Sequence, residues 1–246
     1  MGVSPQKYIN FIAVSNANRT ALSLWQIILP AAAVLLSFLG LLAITRVRQA
    51  SYSMLLAFSG AFLLSLTLFE LLPEAYALLE PRVTGICIAA GILLQIVLEF
   101  FSKGAEHGHV HVSSKQTAFP WLLFISLCLH AFLEGIPLEH NRHFLWGVVV
   151  HKTPVALILG SFLLGSQLPR SSVWLFMILF AAMTPLGAIA GGLAAVQQVY
   201  PYLMALVIGI VLHVATVILF ESSEGHAVNL RKLAVIIAGM TLAFLL

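Results

Sequence analysis

Apolar residues in this chain come in long runs, each interrupted by only a few polar positions. A bilayer core of about 30 Å takes roughly 20 apolar residues in a helix. Runs of about that length fall at 22–44, 52–72, 83–101, 119–138, 145–166, 172–196, 203–221 and 230–246. The pattern predicts an all-α polytopic membrane protein, a bundle of eight transmembrane helices. The connections are short except at about 102–118, so one transmembrane domain is expected over residues 1–246. No short-period repeat and no linker divides it.

Composition agrees with lipid as the solvent. Of the 246 residues, 61% are hydrophobic and 9% charged, against about 25% charged in a soluble domain. Net charge is +3. The basic residues sit in short loops, so topology accounts for them and no nucleic-acid partner is implied. The loops that follow odd-numbered runs hold Arg46, Arg48, Lys103, Lys115, Arg170, Arg231 and Lys232; the other loops and the N-terminal tail hold Lys7, Arg19, Arg82 and Arg142. That bias orients both termini outside, with the 102–118 loop in the cytoplasm. The first twenty residues lack the apolar core of a cleavable signal peptide. Cys87 and Cys128 have no CxxC spacing and are expected to be packing residues.

Ionisable groups within the apolar runs carry the functional signal, because each costs about 2.5–3.5 kcal/mol in hydrocarbon by insertion scales. The fourth run reads Leu129-His130-Ala131-Phe132-Leu133-Glu134-Gly135-Ile136-Pro137. His130 and Glu134 are four residues apart, so they share a helical face. The fifth run contains Val150-His151-Lys152-Thr153-Pro154-Val155. The connection between the two runs is short and predicts antiparallel neighbours. At 1.5 Å per residue His130 lies about 12 Å, Glu134 about 6 Å and His151 about 9 Å below the same end of the bundle. One layer can therefore hold a His-Glu-His set with an open position, which suits zinc, iron or another first-row ion. Pro137 and Pro154 interrupt the helical hydrogen-bond ladder beside it, as is tolerated where a helix lines a cavity.

In these segments and their order, the chain resembles the ZIP (Zrt- and Irt-like) metal transporters over most of its length. His130-Ala-Phe-Leu-Glu134-Gly135 is similar to that family's HxxxEG helix, and His151-Lys152-Thr153-Pro154 to its HExPE helix. Phe69-Glu70-Leu71-Leu72-Pro73-Glu74-Ala75 looks like FHLLPEA with Glu for His, and Thr184-Pro185-Leu186-Gly187 like the TPLG turn. A His-rich third loop and eight helices with both termini outside also fit. The resemblance implies import of zinc, iron or manganese toward the cytoplasm, a transport site between the fourth and fifth helices, and His130, Glu134 and His151 as its ligands.

The departures concern a second metal. Many members place Asn or Asp beside the first His, an acid after the His or Gln of the fifth helix, and Glu four residues after that His or Gln. Here those positions hold Ala131, Lys152 and Val155, and Thr184 stands where some members have Glu. Two readings of Lys152 are open. Its ammonium replaces the charge of the second metal and pairs with Glu134, or its stem carries the charge outward to the interface. Two imidazoles and one carboxylate lean toward zinc over manganese.

Secondary candidates lie nearer the helix ends. His107, His109 and His111 alternate in the third loop, about 7 Å apart if extended, and can capture metal weakly. Glu70 and Glu221 are expected to line the ion's path, since carboxylates concentrate cations. Gln95 and Glu99 share a face near the inner end of the third helix and are weaker candidates for lining an entrance or exit, and His213 is read as a histidine that hydrogen-bonds a neighbouring helix. His140 and His143, in the loop after the fourth run, are weaker candidates for gathering metal at an entrance. No enzyme activity is expected and no permanent cofactor: the metal is cargo. The partners implied are that ion and the lipid bilayer, with a homodimer compatible. A plasma or inner membrane is the default location. An intramembrane metal-dependent hydrolase, with Glu134 as base, and a metal sensor without flux are the alternatives.

Overall fold

In a computed structural model of the protein, residues 24–43, 49–102, 117–221 and 230–246 are described, and among them all regular structure is helical. We number the helices α1 (Leu24–Ala43), α2 (Gln49–Leu66, continuing to Leu78), α3 (Pro81–Ser102), α4 (Trp121–Gly135), α5 (Arg142–Gly165), α6 (Arg170–Gly191), α7 (Ala194–Glu221) and α8 (Leu230–Leu245). Seven of these segments are long and apolar enough to cross a membrane; α8, with 16 residues, is the shorter eighth.

The helices match the apolar runs in number and order, and two differ from the expected bounds for a shared reason. The second helix passes through Pro73 to Leu78, and α7 begins at Ala194, well before Pro201. Proline inside a helix in lipid is accommodated locally rather than ending it. In α2 the accommodation is a π turn over Thr67–Leu71, in which the Leu72 N–H reaches Thr67 O, five residues back. The wider turn draws the Phe69 carbonyl away from the ring of Pro73, which would otherwise collide with it.

Helix α3 shows the bilayer as solvent most directly. Its buried positions are Thr84, Gly91, Gln95, Leu98 and Ser102, small or polar for the most part. Its exposed positions include Ile86, Leu93, Ile96, Val97 and Phe100, the last 78% exposed. A water-soluble helix would reverse that order. With lipid outside, close approach and interhelical hydrogen bonds hold the bundle together.

Glycines set the closest approaches. A Cβ on Gly91 of α3 would collide with the carbonyl of Leu206 on α7, and one on Gly209 of α7 with the carbonyl of Ile88 on α3. Between α4 and α6, Gly135 meets the Thr184 carbonyl and Gly187 the Phe132 carbonyl. Helix α1 lies on α5, where Phe38 covers Gly160, and α8 lies on α2. One apolar core, around Phe38, Leu127, Leu159, Phe176 and Phe180, joins α1, α4, α5 and α6. Another, around Leu71, Phe144, Tyr200 and Ile208, joins α2, α5 and α7.

The expectation that α4 and α5 pack as neighbours needs correcting. The 3-10 turn Ile136–Glu139 and the capping residue Asn141 join them, but α4 packs chiefly on α6 and α3, and α5 on α1 and α2. The short connection fixes their ends together without bringing their backbones into close contact. Side chains fill the space between.

The glycine contacts yield a stability prediction. Gly209→Val should lower unfolding stability in detergent by at least about 1–3 kcal/mol, because a backbone carbonyl must move. Gly85→Ala, with nothing within 4 Å of the added methyl, should leave the melting temperature unchanged or slightly higher. Thermal unfolding of both variants checks the contrast.

Candidate metal centre

Helix α4 enters the bundle at Trp121 and gives way at Ile136 to the 3-10 turn that carries Pro137. On its inward face His130 and Glu134 are 3% and 1% exposed. Their spacing stacks them one turn apart, with His130 Nε2 3.4 Å from Glu134 Oε2. Across the gap, α5 begins with Asn141 as its cap: the Phe144 N–H donates to Asn141 Oδ1 at 2.9 Å. Two and a half turns further on, α5 presents His151 and Lys152, both fully buried.

The Glu134 carboxylate is the hub. Lys152 Nζ lies 2.5 Å from Oε1, and the Thr184 hydroxyl of α6 donates to the same oxygen at 3.0 Å. The ammonium also stands 4.7 Å from the centroid of the Phe180 ring, a cation–π contact in a dry setting. His130 is held from the other side, its Nδ1 3.1 Å from Oε1 of Gln95 on α3. Four helices thus meet at one buried carboxylate–histidine pair: α3 through Gln95, α4 through the pair itself, α5 through Lys152 and α6 through Thr184.

Chemically, the pair is a two-donor bite. A nitrogen and an oxygen 3.4 Å apart subtend about 110° at an ion held by bonds of about 2.0–2.1 Å, the tetrahedral angle zinc adopts. Among the described residues, no three His, Cys, Asp or Glu side chains already form a metal cage. His130 and Glu134 meet, while His151 lies beside them in sequence order on α5 without closing a third position.

The remaining sequence candidates are scattered. Glu70 rides on the π turn of α2. His213 of α7 bonds Glu99 of α3 at 2.6 Å, the interhelical hydrogen bond expected of it. His140 engages Gln197 at the start of α7 and stacks edge-on against Tyr200. His143 is exposed on the first turn of α5. His107, His109 and His111, and the side chain of Glu221, lie outside the described residues. Two contributors were not recognised from the sequence. The face Gln95 shares with Glu99 suggests an entrance or exit residue, whereas an amide deep in an apolar helix signals a hydrogen-bond partner, here His130. Thr184 stands where some family members have an acid, and here its hydroxyl donates to the Glu134 carboxylate.

A multi-helix membrane bundle with a buried carboxylate, imidazoles and a lysine at its centre is the build of an ion carrier. Residues 102–246, more than half of the chain, match the family described as ZIP zinc transporter, and the chain belongs to that family. It is a multi-pass membrane transporter of divalent metal ions and not an enzyme, which removes the hydrolase reading. No curated protein matches the chain.

The ion pair gives a second prediction. Lys152→Met or Glu134→Gln alone should each cost about 3–5 kcal/mol of unfolding stability, since one buried charge loses its partner. The double variant should cost less than the sum of the two. Denaturation of the four proteins in one detergent closes the cycle.

Proposed function

We propose that the protein carries zinc, in preference to iron or manganese, toward the cytoplasm through a site between α4 and α5. The observation that carries this reading is the facing of His130 Nε2 and Glu134 Oε2 at 3.4 Å, 4% and 2% exposed as side chains. That bite matches a tetrahedral ion in angle. His151 supplies the third ligand when the ion arrives, and the mixed nitrogen and oxygen set favours zinc.

Lys152 fills the role of a second metal. It stands on the shared carboxylate with a single fixed charge, so part of the positive charge of a second ion is supplied by the protein itself. The ion shares Glu134 with the ammonium, Oε2 facing the histidine and Oε1 facing the lysine. Transport then rests on rearrangement of helices around the site. Glu70 and Glu221 line its approaches, and His107, His109 and His111 collect metal on the cytoplasmic side. Both termini face outward, in a plasma or inner membrane.

Zinc uptake into proteoliposomes loaded with a zinc-sensitive dye tests the reading. Native protein should conduct, and His130→Ala and His151→Ala should each lower the rate at least about tenfold. Native flux in both variants would move the site elsewhere. Absence of flux in a folded, metal-binding native protein would favour a sensor.

A further inference from the structure

Gln95 is completely buried, 0% exposed, on a helix whose exposed positions around it, Leu93, Ile96, Val97 and Phe100, are apolar. An amide in such a place costs free energy unless it is hydrogen-bonded. Its carbonyl oxygen lies 3.1 Å from His130 Nδ1. A carbonyl oxygen only accepts, so Nδ1 carries the proton of this bond. In a neutral imidazole the lone pair then resides on Nε2, the nitrogen that faces Glu134 Oε2 at 3.4 Å. The contact therefore selects the tautomer and fixes the plane of the ring.

One turn along the same helix, Glu99 holds His213 of α7 at 2.6 Å. Helix α3 thus presents two acceptors in succession, each fixed on a histidine of a different neighbour. The acceptor on the histidine of the metal centre is an amide, and the one outside that centre is a carboxylate. A carboxylate behind a metal-ligating imidazole raises its basicity and tightens the bound ion. An amide orients the ring with less of that effect.

We propose that Gln95 is a positioning residue of the transport site: it presents His130 Nε2 to the ion and, as a neutral acceptor, keeps binding weak enough for release. This rests on the reading of His130 as a ligand. Gln95 touches no ion itself.

The experiment compares native protein, Gln95→Glu, Gln95→Leu and His130→Ala in one buffer at about pH 8, above the usual imidazole range. Two quantities are read: zinc affinity of the purified protein by competition with a fluorescent chelator, and the concentration dependence of zinc uptake into proteoliposomes. Gln95→Leu should weaken zinc binding about 10–100-fold. Gln95→Glu, equal in size and still able to hold the ring, should lower both KM and the saturated rate, because the ion binds more tightly and leaves more slowly. A purely structural glutamine would not produce that joint fall. Native affinity and native KM in Gln95→Glu would overturn the proposal, and that variant decides the matter alone if Gln95→Leu does not fold. His130→Ala separates the two levels: native uptake there sinks the site reading itself, whereas lost uptake there, with unaltered Gln95 variants, sinks only the role of Gln95.

Discussion

The ion pair between Glu134 and Lys152 is the constraint around which the centre of this bundle is arranged. Two opposite charges 2.5 Å apart and almost wholly enclosed must answer for their own desolvation, since neither water nor lipid does so. The surrounding groups each offset part of that cost: the Thr184 hydroxyl on the shared oxygen, the Phe180 face beneath the ammonium, and His130 beside the second oxygen. An ion pair of this kind adds little net stability when compared with an apolar filling of the same space. Its presence makes sense where a charged site is required for work, which is the condition a cation carrier imposes.

The arrangement also explains the substitutions that set this chain apart from the two-metal pattern. Ala131, Val155 and Thr184 replace three oxygen or nitrogen donors with two apolar side chains and one hydroxyl, and Lys152 brings a positive charge to the same place. Those changes are consistent with one another. Extra carboxylates without a second metal would leave repelling negative charges in a medium that cannot screen them. With a tethered ammonium in their place, the Glu134 carboxylate has a resident partner of opposite charge.

Much of this was legible in the sequence, for a physical reason. Hydrocarbon admits few backbone conformations, so run length alone locates the helices, and each ionisable residue inside a run stands out against its apolar neighbours. His130 and Glu134 were legible as a pair because helical spacing is local. What the sequence did not disclose is what depends on the third dimension. Gln95 is thirty-five residues from the histidine it holds, with nothing in its own helix to indicate the direction. The continuation of α2 past Pro73 was hidden because proline argues for an end, and only the π turn shows how the chain avoids one. The short connection between α4 and α5 suggested close packing, whereas helix partners are chosen by glycine contacts that span distant segments.

Those glycine contacts have a mechanical consequence. Where backbone meets backbone, no side chain can flex to let the helices slide, so α3 with α7 and α4 with α6 behave as stiff two-helix struts. Helix α5 meets α1 and α2 through the side chains that cover Gly160 and Gly147, and so lacks that rigid backbone contact. Glu134 reaches α5 through Lys152, and His130 reaches the α3–α7 strut through Gln95. The buried pair therefore ties both struts to α5, and a tilt of α5 against either strut is felt in the polar contacts of that pair.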